Sequence, residues 1–165
     1  MQFTLQPHRG IGPISFGMNR NEVAMVMGGV GGGRPVPRSV GEETDCYFDN
    51  FFQVSFEDAG RADFIEVSSG LAATVLFDGQ DVFDLPADEL LALIGRHDRP
   101  DPELSEPPDS YIFPDLILSL WGRDEQYDHK GGGQRPVFAA VGLGAPSYLA
   151  AIRAIRDHRP AQRTA

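Results

Sequence analysis

The sequence predicts an α+β protein of two tandem helix-plus-three-strand units, which form an antiparallel sheet with helices on one face and are followed by a C-terminal helix. Two observations predict this architecture. The segment 83–95 (FDLPADELLALIG) is a divergent repeat of the segment 16–28 (FGMNRNEVAMVMG). The segment 47–57 also aligns without a gap with 111–121. Elements that recur in the same order indicate an internal duplication. We therefore expect a first unit at 1–72, a second at 73–145, and a C-terminal helix and tail at 146–165, all in one compact domain.

The first unit contains a predicted helix with a recognisable start. Asn19 and Glu22 have the spacing of a capping box, in which each side chain accepts a backbone N–H of the other residue. Val23, Val26 and Met27 follow at helical spacing, so one stripe can face a core. The glycines that come next are expected to end the helix.

That glycine-rich run, 28–33, does not predict a phosphate site. Phosphate-binding loops lie between a strand and the start of a helix and end in Gly-Lys-Ser/Thr. This run instead follows a helix and precedes Arg34-Pro35. We interpret it as a flexible connector.

Strict alternation of apolar and polar residues predicts strands with one face toward the core. The predicted inward positions are Phe52, Val54, Phe56, Leu116, Leu118 and Leu120. If helices cover that face, the opposite face presents Phe51, Gln53, Ser55, Glu57, Phe64, Glu66, Ile117, Ser119, Trp121 and Phe138. Sparse aromatic residues among polar ones suit a protein-binding surface.

The other two predicted helices also carry apolar stripes. Leu90, Leu93 and Ile94 form the stripe of the second unit's helix, and a third helix begins after Pro146. Because this last helix is amphipathic through Tyr148 and the isoleucines that follow, we expect it to pack on the sheet.

Charge restricts the class of partner. The chain of 165 residues has a net charge of −10, and residues 40–130 hold 22 acidic side chains against five basic ones. Nucleic acid is not expected as a partner, because phosphate binding needs clustered positive charge. An acidic field favours encounter with a basic protein, although solubility alone also explains it.

The amino terminus lacks the features of a signal peptide, and no apolar run is long enough to span a bilayer, so a cytoplasmic location without membrane contact is expected. Cys46 is the single cysteine, which excludes an internal disulfide and a cysteine-based zinc site. We interpret it as a buried hydrophobic residue.

Catalytic motifs are absent from the sequence. The four histidines are scattered without metal-ligand spacing, and there is no Gly-x-Ser-x-Gly elbow. Asp128-His129 beside Tyr127 would need a serine or a second acid nearby to act in catalysis. We therefore expect a protein that is not an enzyme and needs no metal or other cofactor.

Two motifs carry a resemblance to known families. Gly17-Met18-x-Arg20-x-Glu22-Val23, with Gly28 closing the helix, resembles the helix-plus-three-strand unit of the BamE-like lipoproteins. A tandem version is similar to the beta-lactamase-inhibitor-protein fold. The second unit, with Val82-Phe83-Asp84 and Leu118-Ser119-Leu120-Trp121, is similar to cytoplasmic immunity proteins of bacterial polymorphic toxins. This resemblance implies binding of a protein partner, whereas the lipid-attachment cysteine and disulfides of the secreted relatives are missing.

Three features that the two units do not share are predicted to bind the partner. They are the aromatic Trp121, a proline-rich acidic loop that imitates phosphate spacing, and the last long hairpin. The predicted partner-binding residues are Trp121, Asp98, Asp101, Glu103, Glu106, Asp109, Asp124, Glu125, Tyr127 and Asp128. The alternatives are a solvated linker for the loop, and for the sheet face a cover formed by the C-terminal helix or by a homodimer partner.

The predicted function is therefore that of a non-catalytic inhibitor, an immunity protein that neutralises a toxin with a basic surface by occlusion. The alternative is a cytoplasmic domain that binds a small ligand or regulates another protein, using a pocket between the two units. An unrecognised hydrolase is the third hypothesis.

Overall fold

A computed structural model gives the fold and describes residues 1–38, 43–70, 73–123, 127–128 and 135–158. The protein is α+β, with three helices and two antiparallel-rich sheets in these ranges. The helices are α1 (Arg20–Gly29), α2 (Ala87–Ile94) and α3 (Pro146–His158). The strands are β1 (Gln2–Gln6), β2 (Gly10–Ile11), β3 (Ile14–Ser15), β4 (Val36–Pro37), β5 (Thr44–Tyr47), β6 (Phe52–Phe56), β7 (Ala62–Ser68), β8 (Thr74–Phe77), β9 (Gln80–Asp81), β10 (Tyr111–Phe113), β11 (Leu118–Trp121), β12 (Tyr127–Asp128), β13 (Arg135–Pro136) and β14 (Ala140–Gly144).

The strands form two main sheets and a small ribbon. The larger sheet has seven antiparallel strands in the order β10-β11-β14-β7-β6-β5-β4. The smaller sheet has the order β3-β2-β1-β8-β9 and contains a parallel pair, β1 with β8, while β12 and β13 pair with each other. The predicted antiparallel sheet is present as the larger sheet, but some strands of the chain form a second sheet beside it. The strands that begin the two halves of the chain pair with each other in parallel instead of extending the large sheet.

The predicted capping box is present at the start of α1. The Asn19 N–H donates to Oε2 of Glu22 over 2.7 Å, and the Glu22 N–H donates to Oδ1 of Asn19 over 3.0 Å. These bonds satisfy backbone donors that the helix itself leaves unpaired. Val23 and Met27 are buried, so the stripe faces the core as predicted.

One core cluster contains residues from both sheets and from α1 and α2. The inward positions of β6 are buried, as the alternation predicted, and so are Leu118 and Leu120 of β11. Phe3 of the smaller sheet packs its ring edge against Phe52 of the larger one, with ring centroids 5.3 Å apart. Aromatic pairs in this geometry add to the stabilisation from burial.

Two residues expected on the open face of the larger sheet are buried, and one inward residue is not in a strand. Phe138 precedes β14, is fully buried and meets the ring of Tyr111 edge to face at 6.0 Å. Ile117 and Leu116 lie in the turn between β10 and β11, where Ile117 has a φ of 51° and is buried. The alternating run therefore does not form one strand, because the turn reverses the chain and changes which face each side chain meets.

Arg20 connects α1 to β5. Its Nε lies 3.1 Å from Oδ2 of Asp45, and its NH2 group donates to Glu43 over 3.2 Å. The guanidinium carbon also lies 4.8 Å from the centroid of the Phe56 ring. Burial raises the pKa of the Asp45 carboxyl, Arg20 opposes the rise, and Glu43 adds to it. The arginine thus provides the positive charge that a buried carboxylate needs.

Candidate functional site

The outer face of the seven-stranded sheet is the face turned away from the core cluster. Its central positions follow from the strand register, in which Gln53 pairs with Glu66, Glu66 with Gly142, and Gly142 with Ser119. The neighbouring row runs from Ser68 through Ala140 to Trp121.

The outer positions of β14 carry small residues, and larger side chains from neighbouring elements fill part of the space above them. A Cβ added to Gly142 would lie 2.5 Å from the Phe64 ring, and one added to Gly144 would lie 2.5 Å from Tyr148 of α3. The rings of Phe64 and Tyr148 are stacked, with centroids 4.1 Å apart and an interplanar angle of 17°. The prediction that the C-terminal helix packs on the sheet is confirmed, and α3 covers this half of the outer face.

The other half of the outer face is open and forms a cavity of 330 Å³, which we call the open slot. Trp121 and Phe51 both line it, with 50% and 38% of their surfaces exposed. Phe51 packs against Gly70, where an added Cβ would lie 2.1 Å from the ring. The other lining residues are Arg38, Gln53, Glu66, Ser68, Ser69, Ala139 and Ala140.

Glu66 is the carboxylate of the open slot. Among the described residues it has neither a hydrogen bond nor an ion pair, although Arg38 is close enough to act on its charge. Burial raises the pKa of Glu66, and Arg38 partly offsets this effect. Burial also raises the pKa of Tyr148 to about 12, with Glu66 and Asp63 adding to the rise. Burial at this position disfavours the charged form of the carboxyl, which makes Glu66 a candidate functional residue.

Replacing Glu66 with glutamine is expected to stabilise the fold at pH 7. Because the folded-state pKa is raised, the favourable contribution of the protonated acid is present below the unfolded-state pKa and is lost as the pH rises through the folded-state value. We expect Glu66→Gln to raise the melting temperature by about 2 °C at pH 7, and the difference to vanish below about pH 4. Thermal unfolding across this pH range measures it, with the exposed Glu106→Gln as the control. An equal or lower melting temperature for Glu66→Gln at pH 7 would contradict the expectation.

The acidic segment, residues 97–109, is the proline-rich acidic loop of the sequence, and turns at 102–104 and 107–109 fold it back on itself. Its backbone covers the edge strand β10. The Asp101 N–H donates to the carbonyl of Ile112 over 2.8 Å, and the Ile112 N–H donates to the Ser105 hydroxyl over 3.0 Å. The segment therefore shields an edge that would otherwise expose unpaired backbone groups.

Asp98 is buried among backbone groups of its own chain and is not available at the surface. It is 8% exposed, and its carboxylate accepts the backbone N–H groups of Arg99, Asp115 and Leu116 at 2.6, 2.7 and 3.0 Å. Asp101 likewise accepts N–H groups of its own turn, from Glu103 and Leu104. Both carboxylates hold the segment in shape, so the interpretation of Asp98 as a surface contact residue is corrected.

The remaining acids of the segment lie at the surface. Glu103 pairs with Arg156 of α3 at 2.6 Å, and Glu106 is exposed. A groove of 200 Å³ between the segment and α3 is lined by Glu103, Leu104, Glu106, Ile152, Ile155 and Arg156. Asp109 is half-buried, and its carbonyl accepts the Arg123 N–H over 3.4 Å, two residues beyond Trp121. The structure thus brings the end of the acidic segment close to the strand that carries Trp121.

The last predicted patch lies largely outside the described residues. Asp124 and Glu125 are outside them, and Tyr127 and Asp128 form β12, of which only the backbone pairing with β13 is described. Cys46 is buried, as predicted. In the described ranges, no group of three or more His, Cys, Asp or Glu side chains is placed to hold a metal ion.

The alternating pattern places Glu66 and Phe51 on the outer face, but neither is among the predicted binding residues. The pattern that identifies their surroundings is Ala140-Val141-Gly142-Leu143-Gly144, in which every outward position is small. Small residues on one face of a strand indicate close approach of other groups. Arg38 and Gly70 had no local signal, because they belong to loops that only the fold brings to the slot.

Comparison with known proteins returns no match to a family model, to a curated protein or to a solved structure. Among the helices that the structure describes, none is both long and apolar enough to cross a membrane.

Proposed function

We propose that this chain is a non-catalytic protein-binding inhibitor, of the kind that neutralises a bacterial toxin by occlusion in the cytoplasm. The observation that carries the proposal is the open slot, where half of the Trp121 side chain is exposed on a sheet face that α3 covers only in part. Tryptophan is among the residues that contribute most to protein interfaces, because it buries a large area at a small entropic cost.

The acidic surface supports a basic partner. The chain has a net charge of −10, and Glu103 and Glu106 are exposed beside the groove along α3. Complementary charge raises the rate of encounter more than it raises the final affinity. We assign Trp121 to the contact itself, and the acidic segment to steering.

The tandem arrangement predicted from the sequence is part of this proposal. We propose that α1 with β5, β6 and β7 forms one unit, and that α2 with β10, β11 and β14 forms the other. The order of the large sheet supports this, because the two sets of three strands run outward from the central pair of β7 and β14. The open slot then lies across the junction of the units.

The test is the affinity for a candidate toxin encoded beside this protein, measured by titration calorimetry. We expect Trp121→Ala to weaken binding by about 30-fold, the effect of an interface residue worth about 2 kcal/mol. Met25→Ala is the matched control, because Met25 is 73% exposed on α1, whose buried residues belong to the core cluster and which contributes no residue to the lining of the open slot. Equal affinities of the wild type and Trp121→Ala would contradict the site, provided that the variant unfolds at the same urea concentration.

A domain that binds a small ligand is the second candidate, and the position of the open slot between β7 and β14 favours it. Small-ligand sites often lie between structural units and converge a few polar groups on one cavity. A thermal-shift screen of metabolites tests this function, because a ligand that binds only the folded state raises the melting temperature. If the protein binds a toxin and no metabolite raises its melting temperature, the result favours the inhibitor function.

A further inference from the structure

We propose that the open slot receives one cationic side chain, an arginine or lysine of the partner protein, with Glu66 as its counter-charge and the Trp121 ring as its stacking surface. This inference rests on the proposed function, because it names the chemical group that the partner inserts.

The floor of the slot contains a partly buried acid, Glu66. Glu66 lies between Gln53 and Gly142 in the sheet register, and in the part of the chain that the structure describes its carboxylate has no hydrogen bond or ion pair. On the open side of Glu66 the slot is lined by the small residues Ser68, Ser69, Ala139 and Ala140, which leave space beside the carboxylate. Arg38 offsets the cost of burying this carboxylate only in part, and a cation that enters the slot reduces the cost further.

The rim of the slot is aromatic. Phe51 and Trp121 stand at the two ends of one row, since the Ser68 N–H donates to the Phe51 carbonyl and Ser68, Ala140 and Trp121 are consecutive partners across the sheet. Three strand spacings separate β6 from β11 in the sheet order, so their backbones are roughly 14 Å apart. An extended side chain fits between the rings, and a cation over an aromatic face is attracted by the ring electrons.

The charges around the slot determine which group it accepts. An anion would face Glu66, and it would approach a chain with a net charge of −10. Glu66 and Asp63 both raise the pKa of the Tyr148 hydroxyl at the covered end of the face, so negative charge already surrounds this part of the sheet. Among the described residues that line the slot, Arg38 alone is basic, and it is exposed. It occupies the rim as an internal competitor, so its removal is expected to strengthen the binding of an external cation.

Tryptophan fluorescence tests the inference directly, because Trp121 is the single tryptophan of the chain. The probe is a capped Gly-Arg-Gly peptide, and its control is the same peptide with neutral citrulline in place of arginine. We expect a saturable change in Trp121 emission with the arginine peptide and a response at least about fivefold weaker with citrulline. An equal response to the two peptides, or no response to the arginine peptide, would overturn the inference.

Two variants separate a binding role from a structural one. Glu66→Gln is expected to lower the affinity for the arginine peptide by about fivefold or more while the fold remains intact. Arg38→Gln is expected to raise this affinity. A Glu66→Gln protein that binds the arginine peptide as well as the wild type would overturn the assignment of Glu66.

The inference and the proposed function fail in different experiments. If Trp121→Ala weakens the binding of the toxin and Glu66→Gln leaves it unchanged, the cation site is wrong and the inhibitor function stands. If the arginine peptide binds through Glu66 and no toxin binds, the cation site stands and the inhibitor function is wrong.

Discussion

Replacing Asp98 with alanine is expected to lower the free energy of unfolding by about 3 kcal/mol, because three backbone N–H groups lose an ionised acceptor. The carboxylate joins the start of the acidic segment, through Arg99, to the turn between β10 and β11, through Asp115 and Leu116. Since Asp98 is 8% exposed, water replaces these bonds only in part. Urea unfolding at pH 7 measures the loss.

Two substitutions calibrate the Asp98 result. Asp98→Asn retains one acceptor oxygen and is expected to lose less stability than Asp98→Ala. Glu106→Gln changes an exposed acid of the same segment and is expected to stay within about 0.5 kcal/mol of the wild type. Hydrogen exchange locates the effect, because the amides of Asp115 and Leu116 should lose protection first. An Asp98→Ala protein as stable as Glu106→Gln would show that this bonding contributes nothing.

Local patterns in the sequence predicted the elements well, because their causes are local. The capping box at Asn19 and Glu22 depends on groups three residues apart, and the structure contains both of its hydrogen bonds. The alternation of Phe52, Val54 and Phe56 predicted one buried face, which follows from the period of a strand. The stripe of α2 was predicted by the same kind of periodicity.

Pairing between distant segments could not be predicted in this way. The alternation of β1 and β8 is the same whether they join one sheet or two, and their parallel pairing depends on how the two halves of the chain pack. Phe138 was placed on the outer face by alternation counted through a segment that is not a strand, since β14 begins two residues later. The turn at Ile117 produced the same kind of error.

The site residues were predicted with mixed success, because charge and alternation along the sequence do not show which acids the fold buries. Charge alone suggested that every acid of the acidic segment faces solvent, but Asp98 is buried because backbone donors 17 and 18 residues later converge on it. The exposure of Trp121 agrees with its predicted place on the outer face. Glu66 becomes distinctive only once the fold shows that small residues line the slot beside it and that, among the described residues, its carboxylate has no hydrogen bond or ion pair.

Replacing Arg20 with methionine is the second large effect expected, a loss of about 2–3 kcal/mol at pH 7, because it removes the positive charge beside a buried carboxylate. The Asp45 side chain is 4% exposed, and Arg20 Nε lies 3.1 Å from its Oδ2. That oxygen has no hydrogen bond among the described atoms, so the ion pair is its main compensation. Methionine keeps an apolar side chain of similar length but loses the guanidinium that lies over the Phe56 ring, so the substitution removes the charge from both contacts.

A double-mutant cycle distinguishes this electrostatic effect from lost packing. Asp45→Asn removes the buried charge, so Arg20→Met is expected to cost much less in that background than in the wild type. Arg20→Lys keeps the charge and should lose less stability than Arg20→Met. The loss caused by Arg20→Met should also shrink as the pH falls, because protonation of Asp45, whose pKa burial already raises, removes the unpaired charge. An equal cost of Arg20→Met in both backgrounds and at both ends of the pH range would assign the effect to packing instead, and the role of Arg20 as the counter-charge of Asp45 would be wrong.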